Sequence, residues 1–235
     1  MGIKLLDYDI FSGTKEELIK EVFSKEKINI VSGNPEILNL GLNNKKLFDF
    51  FTSDKSIIIP DGIGTIIASK IVKKPIQEKL AGIEIMDEII KVCNRENKGI
   101  YLLGANEEVL EDCKKELKEK YKNLNIVGSH NGYFEMSNCT HILEEIEEKK
   151  PYAIFVAMGA PRQEEFIIKN MESLPCSIYM GVGGSFDVIS GKVNRAPKWM
   201  IDCGLEWLYR TLKNPSRIKR LGVIPKFLIT TIKNR

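Results

Sequence analysis

The chain of 235 residues is long enough to bury a substantial core as one large domain, or one domain with an appendage. Apolar content of 43% and charged content of 29% are those of an ordinary soluble globular protein and exclude a disordered or fibrous one. The net charge of +3 hides an asymmetry: residues 210–235 carry eight Lys or Arg and no acid, which leaves residues 1–209 at −5.

The N-terminal MGIKLLDYDI places Asp7 and Asp9 where an export signal needs an unbroken apolar stretch, and no apolar run approaches the roughly 18–20 residues that span a bilayer. Five cysteines (Cys93, Cys113, Cys139, Cys176 and Cys203), at least 20 residues apart and without a CxxC pair, read as reduced thiols packed as small apolar groups. A cytoplasmic location is therefore expected. From there, short β-rich runs alternate with helical patterns. Strands are predicted at Ile28–Val31, Ser56–Ile59, Gly99–Leu103, Asn125–Gly128, Ala153–Ala157 and Ser177–Gly181. Helices are predicted at Lys15–Phe23, Gly62–Val72, Ile83–Asn94, Glu107–Lys120, Cys139–Glu148 and Gln163–Glu172. The alternation predicts an α/β, Rossmann-like fold: a mostly parallel sheet with helices on both faces. At Asn194 the texture changes. Residues 1–193 read as the α/β body, and 194–235 as a basic helical appendage in which Ala196–Lys213 is one long helix. Truncation after about Ser190 is expected to leave a folded body without activity.

In such sheets ligands bind where strands hand over to helix N-termini, and the Gly-, Asn- and Asp-rich segments fall there. Pro60-Asp61-Gly62-Ile63-Gly64 is half a dinucleotide fingerprint, but Ile67 stands where the third glycine would be. Its glycines let backbone amides approach an anion, and Asp61 either aims a carboxylate into the crevice or caps the following helix. Spacing alone leans to the cap. Gly181-Val182-Gly183-Gly184 reads equally as a phosphate cradle or a close turn. The run to Gly191-Lys192 does not make a P-loop, since its spacing is wrong and Val193 replaces the Ser or Thr that would hold magnesium. Asp7-Tyr8-Asp9 has the spacing of a metal-binding Asp pair but lies at the extreme N-terminus and reads as a surface strand. His141 with Glu144 and Glu145 reads as a solvated helix face, so no metal site is expected. In the basic tail, apolar residues are interleaved with the cations, which suits a membrane surface or a diphosphate. Nucleic acid is not an expected partner, because no aromatic stacking platform accompanies the charge.

Taken together, these segments resemble the WecB/TagA/CpsF glycosyltransferases of bacterial wall and capsule synthesis. The likeness runs over nearly the whole chain. It rests on Pro60-Asp61-Gly62-Ile63-Gly64, Gln77-Glu78-Lys79-Leu80-Ala81-Gly82, Tyr101-Leu102-Leu103-Gly104, Gly132-Tyr133-Phe134, Gly159-Ala160-Pro161-Arg162-Gln163-Glu164, the segment from Gly181 to Asp187 with Gly191, Arg195-Ala196-Pro197, and the segment from Gly204 to Arg210.

Within the family the likeness is to the branch that builds the wall teichoic acid linkage unit. It implies inverting, metal-free transfer of N-acetylmannosamine from UDP to N-acetylglucosamine-diphospho-undecaprenol, without a cofactor. It implies Asp61 as general base, with Asn34 and Ser32 orienting the reactants. Lys79, Gly104, Tyr133, Gln163, Gly183, Gly184 and Asp187 would contact substrate, and Arg210, Arg217 and Arg220 would close over the diphosphate. Partners would be the UDP-sugar, the lipid-linked acceptor and the inner face of the cell membrane, touched peripherally by the tail. Oligomeric state is left open, a homo-oligomer included. Two departures border the site. Lys79 stands where an arginine is expected, which removes a bidentate fork, and Ser32-Gly33 replaces a longer Thr-containing loop; both fit a different donor hexose. A competing reading is an NAD-dependent oxidoreductase, and a non-enzymatic one is a nucleotide-binding scaffold at the membrane surface.

Overall fold

A computed structural model describes residues 2–202, 205, 208–209 and 222–234. Eight strands form one sheet in the order β1-β2-β4-β3-β8-β7-β5-β6, with β1 (Gly2–Leu5) antiparallel to β2 (Tyr8–Phe11) and every other pairing parallel. The inner strands β3 (Ile28–Ser32), β4 (Ser56–Ile59), β5 (Ile100–Gly104), β7 (Ala153–Ala157) and β8 (Ile178–Gly181) are nearly continuous apolar runs, as a sheet covered on both faces requires. β6 (Ile126–His130) is the half-buried edge.

Alternate strand residues point to opposite faces, and the helices sort accordingly. On one face Ile28, Ile30, Leu102, Phe155 and Met180 meet α1 (Lys15–Ser24), α5 (Gly82–Arg95), α6 (Glu107–Lys120) and the short α9 (Ser185–Ile189). On the other, Tyr101, Leu103, Ile154 and Tyr179 meet α7 (Thr140–Lys149) and α8 (Arg162–Asn170). Further along that face Val31 and Ile58 meet α2 (Pro35–Leu42), α3 (Lys45–Phe51) and α4 (Ile63–Ile71). Local chemistry agrees with these bounds. Thr14 and Glu17 form a reciprocal capping box on α1, and Asn106 caps α6, whose first turn is acidic and last turn basic.

The predicted α/β architecture is present, each predicted strand and helix of the body lying within two residues of an observed one. Four elements were not foreseen: β1, α2, α3 and α9. The reading of Asp7-Tyr8-Asp9 as a surface strand is half right. Asp7 sits in the hairpin turn at φ +66°, Asp9 is exposed on β2, and Tyr8 is buried with its hydroxyl donating to the Leu38 carbonyl at 2.8 Å.

The predicted continuous helix Ala196–Lys213 is corrected. α10 (Lys198–Asp202) is short, and the non-helical Leu205 turns back to donate its N–H to the Met200 carbonyl. Residues 210–221, with Arg210, Arg217 and Arg220, lie outside the described residues. The chain is described again at α11 (Val223–Lys233), which packs on α2 and α4. The appendage is thus joined to the body. Phe227 of α11 is buried in the same cluster as Leu5, Tyr8 and Leu38, and Arg195 pairs with Glu84 at 2.5 Å.

Candidate active site

Loops leaving the C-terminal ends of β3, β4, β5, β7 and β8 enclose a cavity of about 550 Å³. Its position follows from the topology. From β3 the chain moves outward to β4, whereas β8, on β3's other side, pairs next with β7, and the crevice opens where the two halves of the sheet meet. The loops are cross-tied. Gly33 N–H donates to the Ile59 carbonyl, the buried Thr65 hydroxyl to the Gly33 carbonyl, and Leu80 N–H to the Pro60 carbonyl. Such ties hold side chains at loop tips with little freedom, as chemistry needs.

Asp61 follows β4 and faces the cavity. The N-cap position of α4 is Gly62, at φ +78°, and Asp61 stands one residue ahead of it. Gly62 is needed for its left-handed backbone, and Gly64 for close packing at the cavity wall. A Cβ there would lie 2.4 Å from Pro35 of α2 and 3.5 Å from Ile224 of α11. Ser32 comes to the same place as Asp61 from β3. A Cβ at Gly82, the first residue of α5, would stand 2.7 Å from Ser32 Oγ and 3.6 Å from Asp61 Oδ2, so glycine there leaves both groups room beside a helix N-terminus.

Asn34 lines the same wall but has a structural duty. Its Oδ1 accepts from the N–H groups of Glu36 and Ile37 at 3.0 and 3.1 Å, capping α2, so only its amide NH₂ is left to donate to a ligand.

Across the cavity stand Gln163, Gly183, Gly184 and Asp187. Gln163 is buried and accepts from the Gly183 N–H at 3.0 Å, tying the β8–α9 loop to α8. Tyr133 lies at the rim, 79% exposed, on a loop pinned by Gly132 N–H to the Ala105 carbonyl and by Arg162 to the Phe134 carbonyl. Lys79 also faces the cavity and donates to the Ile201 carbonyl of α10 at 3.3 Å, joining the site to the C-terminal segment. Gly104 is corrected. It does not line the cavity, and a Cβ there would strike the Ala157 backbone at 2.4 Å, so it is glycine to let β5 and β7 end close together.

Cavity residues that sequence reasoning passed over include Glu36, Asn106, Val223 and Ile224. Asn106 was visible as the cap at the end of β5. Val223 and Ile224 had been read as part of a membrane-facing stripe, which a linear pattern cannot tell from a helix laid over a pocket. Among the described lining residues, Glu36, Asp61 and Asp187 set three carboxylates against the single ammonium of Lys79. Among the described residues no group of three or more His, Cys, Asp or Glu is placed to hold a metal.

A family model described as "Glycosyl transferase WecG/TagA/CpsF family" matches residues 3–235. The chain belongs to the WecG/TagA/CpsF glycosyltransferase family. It is 36% identical over 219 residues to the N-acetylglucosaminyldiphosphoundecaprenol N-acetyl-beta-D-mannosaminyltransferase of Bacillus subtilis strain 168, covering 92% of this chain and 84% of that protein. The like-named enzyme of Staphylococcus aureus strain MW2 is 36% identical over 215 residues, covering 90% and 84%. This member of the WecG/TagA/CpsF family is thus a glycosyltransferase. Among its described residues no helix is long and apolar enough to cross a membrane.

Proposed function

We propose that this glycosyltransferase moves N-acetylmannosamine from its UDP donor to N-acetylglucosamine-diphospho-undecaprenol, with inversion and without a metal ion. The observation that carries the reading is that Asp61 and Ser32 both stand beside Gly82, across one cavity from the Gln163-anchored Gly183–Gly184 loop. The relatives named above supply the substrate class.

In a single displacement the acceptor hydroxyl oxygen bonds to the anomeric carbon while the bond from that carbon to the diphosphate oxygen breaks, and attack from the opposite face inverts the centre. Asp61 takes the hydroxyl proton, a contribution of about 10²- to 10⁴-fold. Ser32 and the Asn34 amide orient the reactants. Gly183, Gly184, Gln163, Asp187, Tyr133 and Lys79 hold the donor. The bonding electrons leave on UDP, whose growing charge needs donors. The described cavity has one ammonium against three carboxylates, so Arg210, Arg217 and Arg220 of the tail are the cations assigned to that charge.

Peripheral attachment to the inner face of the membrane fits α11, which buries Phe227 while Ile229 and Ile232 stand 53% and 57% exposed beside Lys226 and Lys233.

UDP release from a panel of UDP-sugars, with the lipid-diphosphate acceptor and with or without chelator, tests this. N-acetylmannosamine transfer that persists in chelator is expected. Preference for another hexose, or loss of turnover in chelator, overturns the corresponding part. Asp61→Asn should bind UDP with turnover about 10²- to 10⁴-fold lower, and near-normal turnover would remove Asp61 from its role.

A further inference from the structure

Gln163 and Glu164 are neighbours on the first turn of α8, and both are buried. The Gln163 amide is held at each end. Its Nε2 donates to Glu164 Oε1 at 2.7 Å, and its Oε1 accepts from the Gly183 N–H at 3.0 Å. A backbone N–H can only donate, and the Glu164 oxygen here accepts, so the two partners together set which way the amide points. Turned over, the amide would place NH₂ against N–H and carbonyl against carboxyl.

Glu164 itself lies behind Gln163 and does not line the main cavity. Its Oε2 is buried without a hydrogen-bond partner and borders a small cavity of about 10 Å³, as does Asn29, whose Oδ1 is likewise buried and unpartnered. Burying a carboxyl is costly, and an apolar side chain of the same size would avoid that cost. Nothing in the transfer step uses this acid, so its place needs another explanation.

We propose that Glu164 is the positioning residue of the donor pocket: it fixes the orientation of the Gln163 amide, which anchors Gly183 and with it the backbone of the Gly183–Gly184 loop. The proposal rests on reading that loop as part of the donor site. Glu164 does not touch the reacting atoms and acts through Gln163. Burial pushes its carboxyl above the usual range, and Glu36 of α2 and the adjacent Glu165 add to this, while the Gln163 hydrogen bond opposes it. The residues around the small cavity (Asn29, Ile30, Phe51 and Gly181 among them) bring no charge. A proton on Oε2 would leave Oε1 accepting from Gln163, so the relay holds in the neutral form, which glutamine reproduces.

The test compares Glu164→Gln, which keeps the acceptor, with Glu164→Met, which keeps the bulk and loses it. Glu164→Asp, one methylene too short to reach, serves should the Met variant not fold. Four quantities are read on the full chain: thermal midpoint, exchange of the Gly183 amide, and KM and kcat for the UDP-sugar. The Met and Asp variants should exchange the Gly183 amide about tenfold faster and raise KM about tenfold, with a smaller change in kcat. The Gln variant should match the parent in exchange and KM. Unchanged Gly183 exchange in the Met and Asp variants, or a Gln variant as impaired as they are, overturns the proposal. The exchange measurement needs no substrate, so it decides the role of Glu164 even if every UDP-sugar fails as a donor, which would instead refute the proposed function.

Discussion

Gly82 is the residue that leaves room for Ser32 and for Asp61, the proposed base. A methyl group there would stand 2.7 Å from Ser32 Oγ and must turn that hydroxyl away, a small adjustment for the fold and a large one for the site. Gly82→Ala should therefore cost no more than about 1 kcal/mol in thermal unfolding while lowering kcat/KM by up to about 10²-fold. If the effect passes through Ser32, Gly82→Ala should cost little more activity in a Ser32→Ala background, a coupling that a double-mutant cycle measures directly. Glu164 offers a second measurement of its own kind. Its folded-state pKa is raised, so its contribution to stability is present below the ordinary carboxylate range and lost as pH rises through the raised value. The stability advantage of Glu164→Gln over the parent, from urea unfolding, should accordingly be larger near about pH 8 than near about pH 4.

Among the elements, the β1–β2 hairpin separates sequence pattern from chemistry. Asp9 is engaged at the surface with Lys4 at 3.6 Å, and Asp7 sits in the turn, both apart from the cavity. The double variant Asp7→Asn/Asp9→Asn should retain full transfer in the UDP-release assay, and a severe loss would reinstate the Asp-x-Asp pair as a donor-binding group. Tyr8 between them matters to the fold: Tyr8→Phe leaves the Leu38 carbonyl without its donor and should cost about 1 kcal/mol in unfolding.

The inner strands could be read directly from the sequence because burial on both faces makes them continuous apolar runs, and the loops after them announced themselves through Gly, Asn and Asp. α2 and α3 were not legible. They are short, and each is nucleated by an asparagine cap, Asn34 and Asn44, that reads equally as a turn. The site was legible to the extent that its residues sit at strand ends. Gly62, Gly64 and Gly104 show the limit of such reading: three glycines in similar loops serve a left-handed cap, a helix–helix contact and a strand–strand contact, and only neighbours in space tell them apart.

For the molecule as a whole, α11 decides where the body ends. Phe227 fills a cluster with residues of β1, β2, α2 and α3, so residues 1–193 alone would leave an apolar face open. Phe227→Ala should cost about 3–5 kcal/mol in unfolding. Removal of α11 should yield a destabilised, self-associating chain in sedimentation. The change of texture at Asn194 does not by itself report which face of a basic helix is covered.

The same contact bears on when the enzyme becomes competent. Translation delivers β1 and β2 first and α11 last among the described elements, yet Phe227 joins Leu5 and Tyr8 in one cluster and Ile224 rests over Gly64 at the cavity wall. A chain that has not yet docked α11 lacks one side of that pocket, whatever the state of its sheet. Docking of α11 is thus the step that completes this wall of the pocket, so closure of the pocket reports that α11 has folded onto the body.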